Sequence, residues 1–241
     1  MTSKLRAHFE RCSAHAAAAN VDQPAEDNTQ YQLQRAQLSQ DQRTLKGIKS
    51  IDLKIVEKLT MIEKYDAYLD GTLTGNSGAE DDVLTMLLLW QVDCGRYDRA
   101  LALGKYAVEH GLAMPASQER SVADALAEEM ATQYFRRSEC EGIDAPSREQ
   151  LHRTLEIVAQ IDMHDEVAAK LHYALGLAMI ADNLDNPAVA QLERAIQLNP
   201  KIGAKKLLQA TKKRIDDGDL SANTATVTKD DNVLPPPAAA Q

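Results

Sequence analysis

Three runs of carboxylates are the groups in this chain best suited to chemistry: Glu80-Asp81-Asp82, Glu128-Glu129, and Asp162 with Asp165-Glu166. A two-metal nuclease gathers several carboxylates around a pair of Mg²⁺ ions about 3.5 to 4 Å apart. Neighbouring carboxylates on one helix diverge, so none of these runs completes such a site alone. Acids at helix starts and on solvated faces account for them without a metal. The histidines, His8, His15, His110, His152, His164 and His172, fall in no H-E-x-x-H or Cys/His zinc spacing. A Walker loop, a G-x-S-x-G turn and a glycine-rich dinucleotide fingerprint are all missing. No catalytic constellation is evident, and no metal or cofactor is expected on these grounds.

The cations are more organised. Placed on a wheel at about 100° per residue, residues 35–64 separate into two faces. Ile48, Ile51, Ile55, Leu59 and Ile62 make a narrow apolar stripe. Arg35, Arg43, Lys46, Lys49, Lys54, Lys58 and Lys64 lie on the other half, where Glu57 is the only acid. Such a helix can dock its oily side on a partner and its cationic side on phosphates, whose counterions are released on binding. A merely solvated lysine face has the same pattern. Lys4, Arg6 and Arg11 add positive charge in the same third of the chain. Ten of the 27 basic and eight of the 36 acidic residues fall in residues 1–64, so the net charge of −9 arises entirely from the remainder. A second basic group, Lys201, Lys205, Lys206, Lys212, Lys213 and Arg214, has no acid within residues 201–214. Because helix C-termini favour cations, part of that group is expected to serve the end of a last helix.

The elements that must carry these groups are helical. Aromatics are 4% of 241 residues, with one Trp and two Phe, while Ala, Leu, Gln and Glu abound, so an all-α fold is expected. A short Ala-rich helix is predicted over 3–19, then a linker to Thr29. A long helix from Gln30 to about Leu69 follows, with Gly71–Gly78 as a break. Further helices are predicted over 83–92, 96–110, 121–137, 147–162, 165–181, 187–198 and 202–215, with a disordered tail from 216. In domain terms these are a basic DNA-binding region (1–70), a central assembly region (79–162), a C-terminal hairpin with a basic helix (163–215), and the tail (216–241). Leu175-Gly176, Ala188, Leu192, Ala195 and Pro200 carry the spacing of a tetratricopeptide-type helix pair, and one such pair cannot bury both its faces alone. Cys12, Cys94 and Cys140 suggest no disulfide framework, so a reducing cytoplasm is expected. No apolar run approaches a membrane span.

The stretch Gly78-Ala79-Glu80-Asp81-Asp82-Val83-Leu84-Thr85-Met86 resembles the GpM-like terminase small subunits of temperate contractile-tailed phages. The resemblance continues through Trp90, Asp93, Gly95, Ala100-Leu101, Tyr106-Ala107, His110-Gly111-Leu112 and Met114-Pro115. Leu45-Lys46, Ile48-Lys49-Ser50-Ile51 and Ala127-Glu128-Glu129 add to it, and it covers about residues 1–200. It implies a ring-like homo-oligomer in the host cytoplasm that recognises double-stranded viral DNA and delivers it to the large, ATPase subunit. On this reading the DNA-binding residues are Lys4, Arg6, Arg11, Arg35, Arg43, Lys46, Lys49, Lys54 and Lys58. Members are often called endonuclease subunits. Should this chain itself cut DNA, Asp81, Asp82, Glu128 and Glu129, with Mg²⁺, are the carboxylates to test. A protein-only helical-repeat adaptor is the third reading.

Overall fold

A computed structural model describes residues 29–116, 118–137 and 144–227, with side chains to 217. The expected helix over 3–19, the cations Lys4, Arg6 and Arg11, and the thiols Cys12 and Cys140 lie outside the described residues.

Among the described residues the chain is all α-helical. The order is α1 (Thr29–Lys46), α2 (Ile51–Ile62), a 3₁₀ turn (Glu63–Tyr65), α3 (Asp66–Gly75), α4 (Asp82–Asp93), α5 (Tyr97–Glu109), α6 (Val122–Arg137), α7 (Arg148–Val158), α8 (Asp165–Ala181), α9 (Asp185–Leu198) and α10 (Lys205–Val227). The stretch from Gln30 to Leu69 is helical nearly throughout but is divided at 47–50. The Gly47 and Ile48 amides close the last turn of α1 on Thr44 and Leu45 with i→i+3 bonds of 3.1 Å. Ser50 then caps α2 through the Leu53 amide. Gly71 does not break the chain; α3 runs to Gly75 and stops at Asn76, which takes the left-handed conformation (φ 49°). The last helix continues past Ile215 to Val227, and the expected tail beyond 227 lies outside the described residues.

Helix α4 is the centre. Asp81 caps it, accepting from the Val83 and Leu84 amides at 2.9 Å each. Val83, Leu84, Leu87, Leu88 and Val92 are fully buried. A helix apolar on every side must be surrounded, and α1, α2, α5 and α6 pack on it. Gly104 sets the approach of three helices. A Cβ there would stand 2.6 Å from Leu126 Cδ2 of α6 and 3.3 Å from Leu88 Cδ1 of α4. Helices α8 and α9 form a tight hairpin, where a Cβ on Gly176 would meet Leu192 Cδ2 at 2.9 Å. One contiguous buried cluster runs from Tyr31 to Ala188.

Candidate nucleic-acid interface

Helix α1 buries Tyr31, Gln34, Leu38, Asp41 and Leu45, residues spaced by three and four that fix which way the helix faces. Arg43 and Lys46 are left in solvent at its C-terminal end, Lys49 is exposed in the turn, and half-buried Lys54 opens α2. None of these four makes an ion pair with a described residue. The helix–turn–helix path thus gathers four uncompensated cations at one end of the α1–α2 pair. Arg35 stands apart, 3.9 Å from Asp82.

Lys58 points elsewhere. Its ammonium is ion-paired with Asp93 and lies 5.4 Å from the centroid of the Trp90 ring. Its side chain is 16% exposed. Of the expected cationic face, Lys58 belongs to the packing of α2 on α4, and Lys64 leans toward Asp41 at 3.9 Å.

The apolar side of α2 also divides. Ile55 and Ile62 are buried within the chain. A different row, Leu53 (61% exposed), Val56 (57%) and Leu59 (40%), faces solvent, as does Ile51 at the start of α2. Sequence reasoning missed Leu53 and Val56. Their i, i+3 spacing with Leu59 is legible only once the phase of α2 is known.

The candidate carboxylates are not brought together. Asp81 is 4% exposed. Its second oxygen accepts from the Tyr68 hydroxyl at 2.7 Å, and burial pushes its carboxyl up to about 6. Both oxygens therefore hold the fold. Asp82 is the half-exposed partner of Arg35. Arg120, just before α6, pairs with both Glu128 and Glu129 of that helix, and Lys170 approaches Glu128 at 3.9 Å. Burial, reinforced by the Asp93 charge, raises the Glu129 carboxyl. Among the described residues, no group of three or more His, Cys, Asp and Glu side chains is arranged to hold a metal ion. Cys94 is buried, and burial lifts its thiol to about 11, the opposite of a reactive thiolate.

The profile of the phage small terminase subunit family matches residues 35–166. The chain belongs to that family. It is 35% identical over 215 residues to the "Terminase, endonuclease subunit" of Escherichia phage P2, covering 89% of this chain and 86% of that one. No solved structure matches it. Membership gives the chain a role in phage DNA packaging, with viral DNA and a large terminase subunit as the partners that role implies. Among the described residues no helix is long and apolar enough to cross a membrane.

Proposed function

We propose that this chain is the DNA-recognition and assembly subunit of its terminase, acting in the host cytoplasm as a ring-like homo-oligomer that hands viral DNA to the large, ATPase subunit. The observation that carries this reading is the set Arg43, Lys46, Lys49 and Lys54, cations with no ion-pair partner among the described residues where α1 turns into α2. Four phosphate contacts per chain correspond to a slope of about −3.6 in log affinity against log salt. Helix α2 turns Leu53, Val56 and Leu59 to solvent, an apolar row suited to a neighbouring copy. The α1–α2 pair thus offers a phosphate-binding flank, and α2 an assembly face.

Charge reversal of Lys46, Lys49 and Lys54 tests the proposal. DNA affinity should fall steeply at low salt while the unfolding midpoint stays close to that of the parent; unchanged affinity would reject it. The P2 relative's name includes endonuclease. In this proposal the cut belongs to the assembled terminase and this chain supplies recognition, because Asp81, Glu128 and Glu129 are committed to caps and ion pairs. Nicking of end-site DNA by the isolated chain with Mg²⁺ or Mn²⁺ would overturn that division of labour.

A further inference from the structure

Six cations lie between Lys201 and Arg214, and the structure divides them. Lys212 Nζ is 2.7 Å from Glu193, and Arg214 grips Asp185 through two bonds of 3.0 and 2.5 Å. Both acids belong to α9, so these two cations fasten α10 to the hairpin. Lys201, Lys205, Lys206 and Lys213 are exposed and make no ion pair with a described residue. Ala204 and Thr211 are the buried side of α10, flanked by half-buried Leu207, Leu208 and Ile215. At about 100° per residue, Lys205, Lys206, Gln209 and Lys213 fall on the opposite, solvent side. Asp216 and Asp217 end the patch.

The folding explanation for this group is gone. Since α10 runs from Lys205 to Val227, Lys205 and Lys206 occupy its first turn, where the macrodipole disfavours cations. Lys213 is near the middle, where the dipole gives nothing. Only Lys201, just beyond α9, stands near a helix C-terminus. Three like charges held on one face with no acid between them oppose folding mildly, and α9 has already spent its nearby acids on Lys212 and Arg214.

We propose that this face of α10 is a second nucleic-acid contact, in which Lys201, Lys205, Lys206 and Lys213 meet the phosphate backbone. A protein partner is disfavoured by what the patch lacks. Protein interfaces are depleted in lysine and centre on aromatic or apolar anchors. Among the described residues none of the exposed large apolar side chains lies between 199 and 217. A polyphosphate asks only for cations. The α2 surface, with its exposed Leu53, Val56 and Leu59, is the contrasting case. The inference rests on the reading that this chain binds duplex DNA, but it fails separately from the assignment of the α1–α2 cations.

The test is a salt titration of the full chain with a 30-bp duplex. Lys205→Gln, Lys206→Gln and Lys213→Gln together should flatten the log–log salt slope by up to about 2.7 and weaken low-salt binding about tenfold or more. Lys212→Gln, which removes a paired cation, should stay within about twofold. The effect should persist in a background already carrying the Lys46, Lys49 and Lys54 reversals. If the triple variant keeps the parent slope and affinity, or instead loses self-association while keeping DNA, the proposal is overturned. A measurement on the unmodified protein decides the matter even if the variant misfolds. Amine-reactive labelling of Lys205, Lys206 and Lys213 should be suppressed by bound duplex, and undiminished labelling at saturating DNA rejects the contact.

Discussion

Lys58 and Asp93, 35 residues apart, are ion-paired between α2 and the end of α4. The pair is the hub of a larger polar junction. Gln133 Nε2 donates to the other Asp93 oxygen at 3.3 Å. The Arg137 guanidinium donates to the Asp93 carbonyl and to Gln133 Oε1, each at 2.6 Å. The Trp90 face lies beside the Lys58 ammonium. One side chain that reads as DNA-facing in sequence is therefore a rivet joining three helices.

Removing that rivet should cost stability and spare binding. Breaking a fully buried pair costs about 3–5 kcal/mol. Here the side chains keep 16% and 25% of their exposure, so Lys58→Met is expected to cost about 2 kcal/mol. Urea unfolding reads the loss, and a DNA titration of the folded variant should match the parent far more closely than a Lys46 or Lys49 variant does. A Lys58→Met protein with intact stability and failed DNA binding would return Lys58 to the interface.

The exposed row on α2 leads to the opposite expectation. Leu53, Val56 and Leu59 contribute little to the core of one chain, so replacing all three with Ser should leave the unfolding free energy of a dilute sample nearly unchanged. The mass in solution should fall toward a single chain. Sedimentation at several concentrations distinguishes this from general unfolding, and an unaltered mass would remove the row from any assembly contact.

What the sequence made legible follows from the range over which each feature is determined. The acids before Val83 and the apolar run after them sit within one turn of each other, so the start of α4 and its Asp81 cap were readable locally. So was the α8–α9 hairpin, whose Gly176 and Leu192 are separated by a single connection. The face of α2 was not. A wheel drawn through residues 35–64 assumes one helix axis, but Gly47 and Ser50 break it. The inward side of α2 is then chosen by Trp90 and Asp93, far along the chain. That choice buries Lys58 and exposes Leu53 and Val56. The C-terminal cations were misplaced for a related reason: a helix ended by composition at 215 puts Lys212–Arg214 in a last turn, whereas α10 continues to Val227. The candidate carboxylates are not brought together because each is engaged separately, Asp81 with the amides it caps, Asp82 with Arg35, and Glu128 and Glu129 with Arg120.

Gly104 offers a test of how closely the central helices approach. Ala is favoured over Gly inside a helix by about 1 kcal/mol. At this position the new methyl would stand 2.6 Å from Leu126 Cδ2, with Leu88 behind it at 3.3 Å, and both leucines are fully buried. Overpacking costs about 1–3 kcal/mol, so Gly104→Ala should be net destabilising by about 1 kcal/mol. Gly176→Ala meets Leu192 at 2.9 Å and should be closer to neutral. Denaturant midpoints of the two variants should fall in that order; a stabilised Gly104→Ala would show that α4, α5 and α6 are packed less tightly than described.

The pH dependence of stability turns on Asp81. Burial raises its carboxyl from 3.8 to about 6, against the lowering effect of its bonds from Tyr68 and from the Leu84 and Val83 amides. A folded-state value above the unfolded one means that the native protein holds the proton more tightly. The contribution of Asp81 is therefore greatest below about pH 4 and is lost as pH rises to about 6, a fall of about 3 kcal/mol for a shift of this size. Asp124 works with the opposite sign. Although burial raises it, bonds from Ser121 and His164 outweigh that effect and hold its carboxyl low, so its contribution is lost as pH falls. Asp81→Asn isolates the first group, because Asn can still cap α4 and cannot ionise, while Asp124 is common to both proteins. Unfolding free energies of parent and variant, measured from pH 4 to 7, should converge or cross, with the parent losing ground to the variant between pH 4 and 6. Parallel curves across that window would mean that Asp81 stays ionised in the folded chain, and that its Tyr68 and amide donors outweigh its burial.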